Sequence, residues 1–550
     1  MTRTLARLTA LTVLLLGGMG LRAQLSSPPA EEQDPVLRAM LHEMERSKAR
    51  LRMPDMPVPY YIDYRIVDVE TQSAEAILGA LRGEDHVHMR YLRVVVRVGD
   101  YKQDSFYQRG TGVNDSIPLG DDEMALRRAL WLASDLAYKA ATEALTAKQA
   151  RLKQLSIEEQ TVDDFARTEP VRFLGPLVHL DYDAAMWRDL LKSASALARR
   201  DPQIQDSSVG LQFQAVNRYF VSSEGTVTRK GQVVYQLSVS AVTQAADGMR
   251  LERSNGYSVA DRKELPTKEG LLARTGNLLT SMKELREAPV VEEEYRGPVL
   301  FSGDAAAAAM SDLIGNNILG VRPAPGEPSR TRGLFATSYK SRVLPEFLQV
   351  VDDPTQTSAA GHALMGSYEV DDEGVKAMRV PVIEKGTLVN YLLGRTPIRD
   401  FPQSNGHGRA PLLNQPGPRM GNLIVTSSEP LSREDMKKKL LERCRERGLD
   451  YGYFAETLGP QRAPRLLYRI WVKDGHEELV RGAVFGDLDN RSLRSDLIAA
   501  GGDAYVDNRL VPVPHSIVSP SILFEELEIK RANRQKDKLP EYPAPAMAGK

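Results

Sequence analysis

The sequence contains very little cysteine and histidine: among its 550 residues there are one Cys, Cys444, and eight His. A single cysteine excludes an internal disulfide, and it excludes iron–sulfur and cysteine-rich zinc modules, which need several thiolates. An excess of charge of one sign is also missing, since 72 Lys and Arg balance 73 Asp and Glu. This balance excludes a nucleic-acid-coating protein, and we expect no nucleic-acid partner.

Hydrophobic residues make up 42% of the chain and charged residues 26%, as in globular proteins and unlike disordered ones. At about 150 residues per domain, the length predicts two to four domains. After the first 24 residues, no segment approaches about 18 uninterrupted apolar residues. The sequence therefore predicts no transmembrane anchor in the mature chain.

The first residues have the organisation of a secretory signal peptide. Arg3 and Arg7 precede an apolar stretch at residues 8–16, and a short exit segment ends in Ala23. The apolar stretch is too short to span a bilayer, and a small residue stands at the expected cleavage point. We therefore predict a signal peptide over residues 1–23, with cleavage near Ala23, and a secreted or periplasmic mature protein.

Hydrophobic periodicity predicts a mixture of helices and strands. Apolar residues recur at three- and four-residue spacing in the helices, and they alternate with polar ones in the strands. The predicted helices cover residues 34–52, 121–155, 182–199, 268–288 and 432–447. The predicted strands cover residues 60–69, 91–98, 209–221, 226–228, 232–244 and 522–529, with a further strand at 76–78 that would complete an antiparallel meander.

An acidic, proline-containing linker at residues 289–297 marks the predicted boundary between two domains. The N-terminal domain, residues 24–290, combines an antiparallel sheet with helices. The C-terminal domain, residues 291–532, is predicted to be rich in β-strands. Residues 533–550 contain several prolines and are predicted to be a disordered tail.

Histidine and cysteine offer few sites for chemistry. No two histidines form a His-x-x-x-His pair, and the chain contains no nucleophile elbow and no P-loop. His86 and His88 could share a metal on one strand face, although a solvent-facing strand end explains them more simply. Cys444 lies between Arg443 and Arg445 on a charged helix without a histidine partner, so we expect an inert thiol.

Two acidic clusters stand in turns of the C-terminal half. Asp352 and Asp353 form the first cluster, and Asp371, Asp372 and Glu373 form the second. Their carboxylates could share a hard cation such as Ca²⁺ or Mg²⁺. The plainer interpretation is that Asp side chains cap turns and need no ligand.

Five segments of the C-terminal half follow the order and spacing of one known family. They are VVDDPT (350–355), DDEGV (371–375), VIEKGTLVNYLLGR (382–395), SNGHGRA (404–410) and PRMGNLIV (418–425). Together they resemble the TldD/PmbA family, proteins once called modulators of DNA gyrase. The resemblance extends to residues 297–310 and 516–529, and NRYFVSSEGTV (217–227) resembles a strand–turn–strand of the family's N-terminal domain.

This resemblance implies a two-domain α+β fold, in which residues of about 121–200 form a helical insertion into the N-terminal domain. It also implies a dimer. The TldD branch contains zinc metallopeptidases that act on small or unfolded peptides. We therefore expect a peptide or unfolded polypeptide as ligand, and either a homodimer or a heterodimer with a TldD-like subunit.

The zinc motif of the TldD branch is replaced in this chain. In that branch a helix carries His-Glu-x-x-x-His, where two imidazoles bind zinc and the Glu activates its water. The matching positions hold Ser311, Asp312 and Asn316. Neutral Ser and Asn oxygens are poor zinc ligands, and Cys444 lies too early in the chain to replace the branch's C-terminal Cys ligand. The chain thus resembles the PmbA (TldE) branch, and we expect no metal, no cofactor and no assigned catalytic residue.

The function predicted from the sequence is an exported metallopeptidase homologue without its own zinc site, a pseudoenzyme that binds peptide or serves as a partner subunit in proteolysis. Candidate residues for a peptide site are Asp352, Asp353, Asp371, Asp372, Glu373, His407, Arg419 and Asn422. Two alternatives stay open. One is an active metallopeptidase with a rearranged metal site that draws on His362, His407 or the acidic pairs. The other is a non-enzymatic binding protein of the cell envelope.

Overall fold

The computed structural model describes residues 33–106, 112–156, 162–412, 414–533, 537–542 and 545. The predicted signal peptide at residues 1–23 lies outside the described residues, as does part of the predicted tail at 533–550. The described chain has an α+β fold built on three large sheets, so the predicted fold class is confirmed. No helix in these ranges has the length and apolar character that crossing a membrane requires.

Seven α-helices occur among the described residues, and each begins next to a side chain that accepts hydrogen bonds from free backbone N–H groups. They are α1 (Pro35–Arg50), α2 (Glu123–Gln154), α3 (Ala184–Ser195), α4 (Lys268–Glu287), α5 (Gly303–Met310), α6 (Arg433–Glu446) and α7 (Asn490–Ser495). The capping residues are Asp34, Asp122, Asp183, Thr267, Ser302, Ser432 and Asp489. The five predicted helices correspond to α1–α4 and α6, and a 3₁₀ turn (Ala196–Arg200) continues α3.

The first sheet has seven strands in the order β3-β2-β1-β5-β6-β4, with β7 also paired to β6. They are β1 (Pro59–Ile77), β2 (Ala80–Val98), β3 (Val113–Ile117), β4 (Arg172–Leu174), β5 (Ile204–Ser222), β6 (Val227–Gln244) and β7 (Arg250–Val259). The predicted strand at 76–78 is wrong, because β1 runs through Ile77 and turns at Leu78 and Gly79, whose φ angles of 47° and 79° bring Ala80 opposite Ile77. The predicted strands at 226–228 and 232–244 are one strand, β6.

The helices of the N-terminal part all cover one face of this sheet. At one end, α1 and α2 pack on alternate residues of the strands, among them Tyr64, Ile66 and Leu92. At the other end, α3 and α4 pack on residues such as Phe213 and Leu237. The opposite face is contacted by loops of the C-terminal part, which therefore rest directly on the sheet.

The C-terminal part contains two large sheets. The six-stranded sheet has the order β13-β12-β9-β16-β24-β23, with β9 (Leu348–Asp352), β12 (Val380–Glu384), β13 (Thr387–Leu388), β16 (Asn422–Ser427), β23 (Tyr505–Arg509) and β24 (His515–Ser519). The eight-stranded sheet has the order β17-β22-β25-β8-β18-β19-β20, with β21 on β25. Its strands are β8 (Tyr295–Phe301), β17 (Pro430–Leu431), β18 (Tyr451–Leu458), β19 (Pro464–Trp471), β20 (Glu477–Val480), β21 (Ala483–Phe485), β22 (Leu497–Gly501) and β25 (Ile522–Arg531).

Two short hairpins complete the C-terminal strands: β10 (Ser358–Ala359) with β11 (His362–Ala363), and β14 (Gly408–Arg409) with β15 (Gly417–Pro418). The main C-terminal core contains residues from both large sheets and from α5. The helix α5 consists mostly of alanine, so its backbone can approach the strands closely. A Cβ on Gly303 would lie 2.4 Å from the Cβ of Tyr505, which shows how tightly α5 meets β23.

Candidate functional site

The three positions that replace the family's zinc motif lie at the end of α5. After that helix the chain continues as a π-helical turn, Ser311–Gly315, which we call the motif turn. Ser311 is buried at 3% exposure, Asp312 is half-buried and Asn316 is exposed. The structure therefore separates the two positions where the zinc motif has its imidazoles: one is enclosed by protein and the other faces solvent.

The strand β23 lies beside α5 and the motif turn. Its alternation places Tyr505, Asp507 and Arg509 on one face of the strand. The Nη1 group of Arg509 donates a 3.0 Å hydrogen bond to the Ser311 Oγ. The Nε group of the same guanidinium donates to the Asp507 Oδ2 at 2.7 Å. A cation held by a carboxylate thus stands at the first position of the replaced motif.

A second carboxylate lies at the start of α5. The Tyr505 hydroxyl donates to the Asp304 Oδ2 at 3.4 Å. Burial, aided by the negative charge of Asp507, raises the pKa of Asp304 to about 6. Burial and then the charges of Asp304 and Asp507 also raise the pKa of the Tyr505 hydroxyl. Ionisation of both Asp304 and Tyr505 is disfavoured, because the carboxylates of Asp304 and Asp507 share a partly desolvated space.

Side chains of the N-terminal part face the same region. Arg253 on β7 interacts electrostatically with Glu456 on β18 and with Asp304, and burial lowers the pKa of its guanidinium. The positive charge of Arg274 on α4 acts on Tyr505 and lowers the pKa of its hydroxyl, against the effect of burial. We use the name motif cleft for the polar side chains that interact here between the two parts, namely Arg253, Asp304, Ser311, Glu456, Asp507 and Arg509. Its carboxylates and guanidinium groups can pair with the polar backbone and the charged ends of a peptide.

The residues of the motif cleft do not fit a zinc ion. The Ser311 oxygen is neutral and already accepts from a guanidinium, whose positive charge would repel Zn²⁺. Within the described ranges, no group of three His, Cys, Asp or Glu side chains is arranged to hold a metal. His515 lies opposite Arg509 in the strand register, but its Nδ1 is 2.7 Å from the Val513 carbonyl oxygen. Burial lowers the pKa of His515 to about 4, so the ring is neutral near pH 7.

Asp352, His407 and Asn422, three of the predicted peptide-site residues, form one fully buried cluster. The Asp352 Oδ1 is 3.1 Å from the His407 Nε2 and accepts from the backbone N–H groups of Gly421 and Asn422 at 3.0 and 3.1 Å. The Nδ1 of His407 faces the Asn405 carbonyl oxygen at 2.9 Å. These hydrogen bonds hold the strand β16 against β9, and the three side chains are buried away from solvent.

The second acidic cluster is bonded in the same manner. The Asp371 carboxylate accepts from the backbone N–H groups of Glu373, Val375 and Gly408 at 2.9 Å each. Burial and the neighbouring Glu373 raise the pKa of Asp371 well above its usual range. The Glu373 Oε2 accepts from the backbone N–H of Arg395 at 2.6 Å. The structure thus brings Asp371 and Glu373 into contact with segment 407–408, next to the first cluster.

The remaining predicted residues lie around this network. Asp372 accepts from Lys230 Nζ at 2.7 Å; burial would raise its pKa, but the charges of Lys230, Arg218 and Arg409 outweigh burial and hold the pKa below its usual range. Asp353 caps a turn, because its Oδ1 accepts from the Thr355 backbone at 3.0 Å and hydroxyl at 2.6 Å. Arg419 is partly buried, which together with Arg409 lowers the pKa of its guanidinium. Among these residues, Asp353 matches the turn-capping interpretation, whereas Asp372 is held by an ion pair.

The other singled-out residues also have structural partners. His86 Nε2 lies 3.0 Å from Glu70 Oε1, and His88 Nε2 lies 2.6 Å from Asp68 Oδ1, both on an exposed stretch of β2. Cys444 lies on the buried face of α6, and burial raises the pKa of its thiol to about 11, as expected of an inert cysteine.

Comparison with known proteins places the site in a family. Residues 294–531 match the PmbA/TldA metallopeptidase C-terminal domain. A metalloprotease of Methanocaldococcus jannaschii is 39% identical over 93 residues, 17% of this chain and 20% of that protein. A metalloprotease TldD homolog of Buchnera aphidicola is 21% identical over 364 residues, 62% of this chain and 71% of that protein. The crystal structure of TldE from Thermococcus kodakarensis, 15% identical, shares the fold at a TM-score of 0.57 over 90% of this chain and 99% of that chain.

The chain belongs to the TldD/PmbA family. This chain matches only a fifth of the length of the Methanocaldococcus jannaschii protein, so the activity of that protein does not follow for this chain from family membership. The matched domain, 294–531, contains α5, the motif turn and β23. Most residues of the motif cleft therefore lie in the part that this TldD/PmbA protein shares with its relatives.

Sequence reasoning missed the partners of the motif turn in this TldD/PmbA protein. Asp304, Tyr505, Asp507 and Arg509 were not among the predicted residues. The segment Tyr505–Arg509 carries only a weak signal: Tyr505, Asp507 and Arg509 occupy every second position, but the intervening Asn508 is polar too. That alternation shows a polar face but does not show which element lies against it.

Proposed function

We propose that this chain is an exported TldD/PmbA subunit without a zinc site of its own, which binds extended peptide in the motif cleft and pairs with a zinc-bearing TldD-type subunit. The observation that carries the proposal is the hydrogen bond of 3.0 Å from Arg509 to Ser311. It fills the first ligand position with a cation instead of an imidazole. The signal-like sequence at residues 1–23 supports export to a secreted or periplasmic location.

Peptide binding is supported by the strand edge beside the cleft. Among the described strands, β7 pairs with β6 alone, so its other edge is not joined to a further strand. One β7 carbonyl, that of Glu252, accepts from the Arg465 side chain at 3.0 Å. An extended peptide can add to such an edge by backbone hydrogen bonds, and side chains nearby can select its ends. Arg253 on β7 and Asp304 on α5 provide charges of both signs at this place.

Pairing is supported by the fold shared with TldE and by the loss of the zinc motif. The test is purification of the tagged chain from its native host, followed by assay of peptide hydrolysis. We expect a TldD-type protein with an intact His-Glu-x-x-x-His motif to co-purify. Hydrolysis should be abolished by a zinc chelator but unchanged by Ser311→Ala. Chelator-sensitive hydrolysis by the isolated mature chain, lost in Ser311→Ala, would establish an active enzyme with a rearranged site instead.

A further inference from the structure

A groove of about 450 Å³ lies on the outer face of the eight-stranded sheet, beside α6. Its apolar lining consists of Leu300 from β8, Leu441 from α6, Phe454 from β18 and Ile470 from β19. We call it the α6 groove. Its volume falls within the range of about 300–1,000 Å³ that small-molecule sites occupy. It lies on a different helix from the motif cleft, and nothing in the proposed function uses it.

The groove exists because α6 covers only part of the sheet. Met436, Leu440 and Cys444 follow one another at four-residue spacing and pack the helix onto the sheet. Leu441 belongs to the adjacent row of the same helix, with Lys437 and Arg445 one turn before and after it. That row faces the half-buried Phe454 without filling the space above it, while Leu300 and Ile470 lie buried below.

The rim of the groove carries a positive charge. Four cationic side chains and two carboxylates line it, namely Arg433, Lys437, Lys438, Arg445, Glu434 and Glu477. Lys437 is paired with Glu477 at 2.8 Å. Within the part of the chain that the structure describes, the side chains of Arg433, Lys438 and Arg445 make no ion pair or hydrogen bond. An apolar floor below unpaired cations is complementary to an apolar ligand with an anionic end.

We infer that the α6 groove binds a free fatty-acid anion, whose acyl chain lies against Leu441 and Phe454 and whose carboxylate meets Lys438 and Arg445. An uncharged apolar ligand would leave the cations without counter-charge. A sugar or nucleotide would place polar groups against an apolar floor, which costs free energy without a hydrogen bond. The cationic rim is complementary to an anionic head group, and the apolar floor is complementary to an acyl chain. The groove therefore favours an anionic amphiphile, whether or not zinc is bound elsewhere in the protein.

The test is isothermal titration calorimetry of the mature chain with dodecanoate below its micellar concentration. We expect saturable binding at one site. Decanoate should bind roughly fifteenfold more weakly, because each buried methylene contributes about a fourfold gain in affinity. Dodecyltrimethylammonium, with the same chain and the opposite charge, should bind at least about tenfold more weakly than dodecanoate. Absence of saturable dodecanoate binding, or equal binding of the cationic amphiphile, would overturn the inference.

Variants locate the binding in the groove. The double substitution Lys438→Glu/Arg445→Glu, at two exposed positions, should weaken dodecanoate binding more than about tenfold. Leu441→Trp should block the groove and abolish binding. Lys473→Glu, on the exposed turn after β19, is the matched control and should bind like the wild type. Wild-type affinity in the double variant would overturn the inference, and so would binding of an acidic amphipathic peptide without binding of dodecanoate. If circular dichroism shows that Leu441→Trp does not fold, the comparison of the double variant with Lys473→Glu still tests the inference.

Discussion

Arg509 and Ser311 are 198 residues apart in the chain and are joined by a 3.0 Å hydrogen bond at the replaced zinc motif. The guanidinium is in turn held by Asp507 at 2.7 Å. The Ser hydroxyl is small and accepts a hydrogen bond, which suits a cationic neighbour. The loss of the imidazole and the presence of Arg509 therefore form one arrangement, in which a fixed protein cation stands at the first ligand position of the family's zinc motif.

Restoring the motif alone should not restore zinc binding. The variant Ser311→His/Asp312→Glu/Asn316→His recreates the family's residues, but Arg509 still repels Zn²⁺ at the first ligand. We expect little zinc after dialysis, measured by inductively coupled plasma mass spectrometry, and a clear rise when Arg509→Met is added. Arg462→Met, which removes a cation 3.9 Å from Asp312, is the control and should have less effect. Equal zinc contents with and without Arg509 would contradict the account.

Asp304 should make stability depend on pH. Its folded pKa of about 6 is higher than the ordinary 3.8, so the folded state binds more protons than the unfolded chain between these values. The free energy of unfolding therefore falls as pH rises from about 4 to about 6. Asp304→Asn cannot ionise, so its stability relative to the wild type should improve by about 1–3 kcal/mol over this range. Urea unfolding at each pH measures the difference.

The control for this prediction is Asp55→Asn, on the exposed turn after α1. Its unfolding free energy should run parallel to that of the wild type. Parallel curves for Asp304→Asn and the wild type between pH 4 and 6 would show that Asp304 is not the responsible group.

Arg395 connects the two parts of the chain. Its side chain is 1% exposed, donates to both oxygens of Glu224 at 2.7 and 2.8 Å, and donates to the Ala166 carbonyl oxygen at 2.9 and 2.7 Å. Arg395→Ala leaves the Glu224 carboxylate without this partner and should lower the free energy of unfolding by about 3–5 kcal/mol. The exposed Arg399→Ala is the control, with an expected change within about 0.5 kcal/mol. Adding Glu224→Gln to Arg395→Ala should recover part of the loss, whereas no recovery would mean that packing dominates.

Gly408 is predicted to be intolerant of any side chain. A Cβ there would lie 2.1 Å from the Glu373 Oε2 and would displace the carboxylate from the Arg395 backbone N–H. Gly408→Ala should destabilise the protein by about 1–3 kcal/mol or more. Gly417→Ala, on the paired strand β15, is the matched control, because nothing lies within 4 Å of its Cβ. Thermal unfolding of both variants provides the comparison, and similar midpoints would contradict the described packing.

Helices were predictable from local chemistry, and long-range pairing was not. Asp34 and Ser432 cap helices that the sequence places within two residues of their observed limits. The turn after β1 was missed because Leu78 adopts a left-handed backbone conformation there. Gly, Asn and Asp are the residues that usually adopt this conformation in turns, so Leu gives no turn signal. Local patterns therefore located the elements, while unfavourable turn residues hid how they connect.

The candidate site was predictable only in part for a similar reason. The resemblance located Ser311 and Asn316, and the turn-capping interpretation of the acidic clusters anticipated the role of Asp353. The sequence alone could not show that Asp352 is fully buried against His407, or that β23 brings Arg509 to Ser311. Both facts depend on strand order in the six-stranded sheet. Spatial neighbours from distant segments carry no local signal.

The most direct test of the central claim is the metal content of the purified mature wild-type chain. After equilibration with excess Zn²⁺ and dialysis against metal-free buffer, inductively coupled plasma mass spectrometry gives the zinc retained per chain. Since Arg509 takes the place of a ligand at Ser311, we predict far less than one zinc per chain, unchanged by Ser311→Ala. One zinc retained per chain, and lost in Ser311→Ala, would contradict the account.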